Sequence, residues 1–215
     1  MNYRTFRSEW SDYYSGTNYT GPAAMHKAEI ADSFLKKIRP SRIWDFGAND
    51  GRYTRLALKY DAELIAAFDS DPDAVEFNYQ KGKKNRDNIL PLILDLTNPS
   101  GGSGFAGRER AALPDRGKPD CIMMLAVIHH LAVSDNLPLG QIAEWLSGLT
   151  SCVIMEFVPK EDSQVQRLLA CRKDIFPDYT RAGFENAFSA FFRIEERIPV
   201  RDSLRVMYLL CAESR

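Results

Sequence analysis

The sequence predicts an α/β protein built on a doubly wound, mostly parallel sheet of seven strands that finishes in an antiparallel hairpin. Three observations predict it. Short apolar runs alternate with helical patterns through most of the chain. The first run stops in a glycine-containing turn, Gly47 to Gly51, that opens the next helical stretch. The last two runs, Phe192 to Val200 and Leu204 to Cys211, are linked only by Arg201, Asp202 and Ser203. That link is too short for a crossover helix, so the two strands must pair antiparallel.

The elements follow in order. Residues 1–21 are polar and aromatic, with Trp10, Tyr13, Tyr14 and Tyr19, and read as an arm or a lid ahead of a domain over 22–215. From Pro22 a helix is expected, with Ala24, Ala28, Ile30, Ala31, Phe34, Leu35 and Ile38 on one broad face and Pro40 ending it. Arg42 to Phe46 is a strand, Arg52 to Tyr60 a helix, and Glu63 to Phe68 a strand ending at Asp69. Asp71 with Pro72 starts a helix, and Asn88 to Leu94 is a strand ending at Asp95. Residues 97–119 have loop composition and read as an insertion. Cys121 to Ile128 and Ser151 to Val158 are strands, and Leu139 to Leu149, Asp162 to Arg172 and Thr180 to Phe191 are helices.

A length of 215 residues suits one domain with a sizeable core. Lys plus Arg number 28 against 29 Asp plus Glu, which gives no global pull toward nucleic acid or an anionic membrane. There is no apolar run long enough for a membrane span, and Met1 to Trp10 has no apolar core of a signal peptide. Cys121, Cys152, Cys171 and Cys211 form no CxxC pair and are expected as buried free thiols, consistent with a reducing cytoplasm. No metal constellation is expected.

The chemistry concentrates at strand ends. The stretch Asp45-Phe46-Gly47-Ala48-Asn49-Asp50-Gly51 lets backbone approach a ligand and sets a helix N-terminus behind it. The third glycine of the dinucleotide pattern is missing. Asp45 would repel a pyrophosphate but accept from an α-amino group. Asp69 can accept from ribose hydroxyls, a role that fits nicotinamide and amino-acid-bearing nucleosides alike. Asp95 can accept from an exocyclic adenine amine while Leu96 covers a ring face. Ligands of open α/β sheets bind at the carboxyl ends of strands, near the topological switch.

On these motifs the sequence resembles the class I S-adenosylmethionine-dependent methyltransferases, over roughly residues 40–211. Asp45 to Gly51 looks like the family's first motif, with Asn49 in place of the middle glycine; asparagine is the next residue to tolerate positive φ. The resemblance implies a Rossmann-like methyltransferase fold with S-adenosylmethionine as cofactor. It would lie over Gly47, Ala48, Asn49 and Gly51, with Asp69 and Ser70 at the ribose and Asp95 with Leu96 at the adenine. Leu125-Ala126-Val127-Ile128-His129-His130-Leu131 looks like the fourth motif of small-molecule methyltransferases and brings Ala126 to the cofactor. The Asn-Pro-Pro-Tyr type motif of methyltransferases acting on nucleic acid or protein glutamine is absent. Residues 120–210, with Glu156 to Lys160 and Ser163 to Gln166, are also similar to a bacterial nodulation-protein group.

Methyl transfer needs orientation and a nucleophile free to attack. His129 and His130 follow the fourth strand; adjacent side chains diverge, so one of them faces the pocket as a candidate base. Glu156 ends the fifth strand and is a second candidate. Tyr19 is expected near the methionine carboxylate. Two other readings stay open, a non-catalytic module with the same fold and a nicotinamide-dependent oxidoreductase. The acceptor atom and the oligomeric state are not indicated.

Overall fold

Seven strands, in the order β3-β2-β1-β4-β5-β7-β6, form one sheet in the computed structural model, which describes residues 21–170 and 172–212. They are β1 (Arg42–Phe46), β2 (Leu64–Asp69), β3 (Leu90–Ile93), β4 (Cys121–Met124), β5 (Cys152–Phe157), β6 (Arg193–Pro199) and β7 (Val206–Cys211). Neighbours among β1 to β5 pair parallel, while β7 runs antiparallel to both β5 and β6. The chain moves outward from β1 to β3, then returns to the other side of β1 as β4. That reversal leaves a crevice above the carboxyl ends of β1 and β4.

Side chains alternate across the pleat, so each central strand feeds two cores. Ile43, Ile65, Cys121 and Met123 face α1 (Gly21–Ile38) and the 3-10 helix Thr54–Tyr60. Trp44, Phe46, Ile122 and Met124 face the opposite layer, which includes α3 (Leu139–Leu149) and α5 (Arg181–Ser189). There Phe46 stacks on Trp145 with centroids 5.7 Å apart. Ala23, Lys27, Ile30, Ala31 and Phe34 make the buried stripe of α1, spaced three and four residues apart as a helix requires. The helix α2 (Pro72–Asn85) starts where the sequence signals it, with Asp71 accepting from the Asp73 N–H and Pro72 in the first turn. Asp162 caps α4 (Ser163–Leu169) in the same way.

The structure corrects several expectations. Cys152 and Cys211 form a disulfide rather than free thiols. The antiparallel register of β5 and β7 sets them opposite each other with Cα atoms 4.2 Å apart, a proximity no sequence spacing announces. The thiol argument for a reducing cytoplasm loses that support. Cys121 is a buried free thiol, and Cys171 lies outside the described residues. The helix expected from Arg52 is 3-10 and starts at Thr54. The fourth strand stops at Met124, because Ala126 turns into the left-handed region with φ 60°. A π-helix, His130–Ser134, then leads toward α3. The insertion at 97–119 is irregular, held by a Ser103–Arg110 bridge and the buried Leu113. The aromatic arm and Tyr19 lie outside the described residues. No helix among those described is long and apolar enough to cross a membrane.

Candidate active site

The bend after β1 alternates handedness. Gly47, Asn49 and Gly51 take φ values of 70°, 48° and 72°, the left-handed region that only glycine and asparagine enter cheaply. A Cβ on Gly47 would lie 2.3 Å from Val127 Cγ2, so the bend also packs directly on the segment leaving β4. Its other side is tied to β2. The Ala48 N–H donates to the Phe68 carbonyl at 2.9 Å, and the Asn49 N–H donates to Asp69 Oδ2 at 2.8 Å. The Asp50 N–H donates to Asn49 Oδ1 and the Gly51 N–H to the Ala48 carbonyl, so the bend's shape is fixed from within.

Three strand-end aspartates have three environments. Asp45 is buried, and desolvation pushes its carboxyl up to about 7, although the Thr54 hydroxyl donates to it. Asp69 is also raised by burial, against the pull of the backbone N–H groups of Asp71 and Asn49. Asp95 is exposed and lowered, because both the Thr97 hydroxyl and its N–H donate to Oδ1.

Beyond β4, Ala126 holds its left-handed φ beside this bend, a conformation costing roughly 1–3 kcal/mol. His129 and His130 do not diverge as the sequence suggested: their rings lie against each other with centroids 4.2 Å apart, and only His130 reaches the cavity wall. His129 is fully buried, and neither ring nitrogen has a hydrogen-bond partner among the described residues. Burial keeps it neutral. His130 is partly exposed, and burial pushes its pKa down to about 4. Glu156 is fully buried; Lys27 Nζ lies 2.6 Å from its Oε2 and Arg205 a further charge at 3.7 Å. Desolvation pushes Glu156 up to about 7, with Arg205 pulling the other way.

One cavity of about 360 Å³ gathers these pieces. Asp45, Gly47, Ala48 and Asn49 line it from β1, and Asp69, Ser70, Asp95 and Leu96 from β2 and β3. Ala126 and His130 line it from β4. Gly51, His129 and Glu156 are not on its wall; Gly51 packs against Asn78 and Arg55 behind the bend. Sequence reasoning missed Lys27, Tyr53, Ser134 and Asp135, which do line it. Lys27 left a legible signal, a charge on the apolar stripe of α1. Asp135 left none, since the π-helix places it. Among the described residues no group of three His, Cys, Asp or Glu is arranged to hold a metal ion.

No protein-family profile matches the chain. It is 36% identical over 202 residues to the nodulation protein NoeA of Rhizobium meliloti (strain 1021), a match spanning 94% of this chain and 42% of that protein. The chain thus covers less than half the length of this relative. Among solved structures it resembles the N-methyltransferase NodS of Bradyrhizobium japonicum WM9 in complex with S-adenosylhomocysteine. That match has a TM-score of 0.68 at 10% identity and covers 95% of this chain and 97% of the other. The magnesium protoporphyrin IX methyltransferase of Synechocystis PCC 6803, with S-adenosylhomocysteine bound, gives a TM-score of 0.61 at 15% identity over 95% and 93% of the two chains. By topology and by these likenesses, the chain has the fold of the class I S-adenosylmethionine-dependent methyltransferases, and in sequence it is similar to a rhizobial nodulation protein.

Proposed function

We propose that this chain binds S-adenosylmethionine and directs its methyl group to a small-molecule acceptor. The observation that carries the reading is the convergence of Asp45, the left-handed bend, Asp69 and the Asp95-Leu96 pair on one cavity at the sheet's switch point. The residues fit the cofactor's parts. Asp45 accepts from the α-ammonium, Asp69 from the ribose hydroxyls, and Leu96 packs beside the adenine near Asp95. Ser70 and Ala126 complete the nucleoside walls. Asp45 also disfavours a pyrophosphate, which argues against a nicotinamide cofactor.

When bound, the cofactor supplies an electrophilic methyl for in-line displacement. The protein's task is to orient the attacking atom and exclude water. Of the three candidate catalytic side chains, His130 is the one on the cavity wall, and it is neutral at pH 7 because its pKa sits near 4. It therefore accepts a hydrogen bond from an acceptor N–H or O–H and aims the lone pair, rather than carrying a full proton through the reaction. His129 and Glu156 lie behind the wall and support it. Asp45, Asp69, Asp95 and Asp135 face one lysine, Lys27, across this cavity, which favours a neutral or cationic acceptor over a polyanion such as nucleic acid.

Calorimetric titration with S-adenosylhomocysteine, with NAD as control, tests the reading. Wild type is expected to bind the former and not the latter. Asp69→Ala is expected to lose at least about 100-fold in affinity while staying folded, since it removes a charged acceptor for two hydroxyls. An Asp69→Ala protein that binds as tightly as wild type would falsify the ribose assignment.

A further inference from the structure

The bend after β1 has two sides. Gly47, Ala48 and Asn49 line the cavity, while the carbonyls of Asp50 and Gly51 face away from it, toward Arg55. Arg55 belongs to the first turn of the 3-10 helix, and its side chain is mostly buried. Its Nη1 donates to the Asp50 carbonyl at 2.9 Å and to the Gly51 carbonyl at 2.8 Å. The same nitrogen lies 2.9 Å from Asn78 Oδ1, and Nε donates to Asp87 Oδ2 at 2.8 Å. Asn78 is buried on α2, and Asp87 lies just past the end of that helix. Lys81, three residues along α2 from Asn78, donates to Asp50 Oδ2 at 3.2 Å. The bend is thus pinned to α2 from behind.

Arg55 and the glycine at 51 are fitted to each other. A Cβ at 51 would lie 2.4 Å from Arg55 Nη1 and 2.3 Å from Asn78 Oδ1, at a φ of 72° that larger residues enter only with strain. Gly51 therefore makes room for the guanidinium, not for a ligand. The N–H groups of Ala48, Asn49, Asp50 and Gly51 are all spent within the bend or on β2. The carbonyls of Asp50 and Gly51 are held by Arg55, whose planar fork meets its oxygens at set angles. Without that support a bend of left-handed residues would relax toward ordinary dihedrals and draw Gly47, Ala48 and Asn49 off the cavity wall.

We propose that Arg55 is a positioning residue for ligand binding: it clamps the bend from behind, so that the cavity side keeps the shape that receives the amino-acid tail of the cofactor. The proposal rests on the S-adenosylmethionine reading above. Arg55 is not on the cavity wall and acts only through the bend. The ribose end is held separately, because Asp69 Oδ1 accepts from the Asp71 N–H outside the bend. Loss of the clamp therefore acts on the tail and spares the nucleoside.

The test compares S-adenosylhomocysteine with 5′-methylthioadenosine, which keeps the adenine, ribose and thioether and lacks the amino-acid tail. In calorimetric titration wild type is expected to prefer the first by roughly 10- to 100-fold, the worth of charge-assisted contacts to the tail. Arg55→Ala is expected to cut that preference at least about fivefold, while affinity for 5′-methylthioadenosine changes less than about twofold. Arg55→Lys keeps the charge without the fork and is expected to fall between the two; it carries the test should Arg55→Ala fail to fold. Ala57→Gly, on the same short helix but packed in the core around α1, is the control. It is expected to lower the denaturation midpoint and to keep the wild-type preference. Arg55 variants that retain the wild-type ratio of the two affinities, or that weaken both ligands equally, would show a purely structural arginine and overturn the proposal. So would an Ala57→Gly protein that loses as much preference as Arg55→Ala. A wild type that binds neither ligand would be a different failure, that of the methyltransferase reading itself.

Discussion

Asp45 sits one residue before the end of β1, Asp69 ends β2 and Asp95 lies two residues past β3, and the protein treats these three aspartates differently. Asp45 and Asp69 are drawn into the structure. One is buried beside Thr54 and Lys27, and the other is clamped by backbone N–H groups that also fix the bend. Asp95 stands in solvent and spends its Oδ1 on its own turn through Thr97. The β1–β2 side is therefore preorganised, with carboxyls raised by burial. The β3 side is a soft rim with a solvated carboxylate held low by Thr97, next to the irregular insertion. A preorganised, poorly solvated group contributes more to binding than an exposed one, because its desolvation has already occurred on folding.

The largest effect that would sharpen this contrast is expected at Gly47. Gly47→Ala places a Cβ against Val127 at a φ of 70° and should destabilise the fold by about 2–4 kcal/mol in denaturant titrations, with binding of S-adenosylhomocysteine lost. Unchanged stability would show that the bend can yield.

Asp45→Asn comes next, and its effect depends on pH. The folded carboxyl is raised from 3.8 to about 7, so between those values the folded chain keeps a proton that the unfolded chain has released. The stability of wild type therefore falls as pH climbs through that window, and the asparagine, which does not titrate, is spared this loss. The variant is expected to gain on wild type from pH 4 to 7, by a total on the order of 4 kcal/mol that levels off near pH 8. Its affinity for S-adenosylhomocysteine should be weaker and flat in pH, whereas that of wild type rises toward pH 7 as Asp45 ionises. Parallel stability curves for the two proteins would place the raised carboxyl elsewhere.

The smallest effect is expected on the rim. Asp95→Ala should weaken S-adenosylhomocysteine by less than about tenfold, with little change in denaturation midpoint, since exposed polar contacts contribute roughly 1 kcal/mol. A loss as large as that from Asp69→Ala would abolish the distinction between the two sides.

The parts of this molecule legible from sequence are those written in local patterns. Short apolar runs alternating with helical patterns, the capped start of α2 and the three-residue link before β7 translate directly into the parallel sheet and its closing hairpin. The bend was legible because positive φ has a residue signature, and Asn49 at 48° carries it. Less legible was anything fixed by register or by irregular backbone. Cys152 meets Cys211 because β5 and β7 align them. Ala126 has no residue signature for its φ, so β4 read too long. Glu156 looked like a strand-end acid free to act, and only the approach of α1 and the segment before β7 buries it between Lys27 and Arg205. Lys27 was the instructive omission: a charge on an apolar helical stripe is a question the sequence had already asked.

The π-helix at His130–Ser134 uses one residue more per turn than an α-helix would. Each residue of an α-helix advances the chain by about 100°. Dropping a single residue from this turn would therefore swing Ser134 and Asp135 away from the cavity, while the bend and the tips of β1 and β2 stayed where they are. Evolution thus has, in one codon, a means of recutting this wall without disturbing the opposite one.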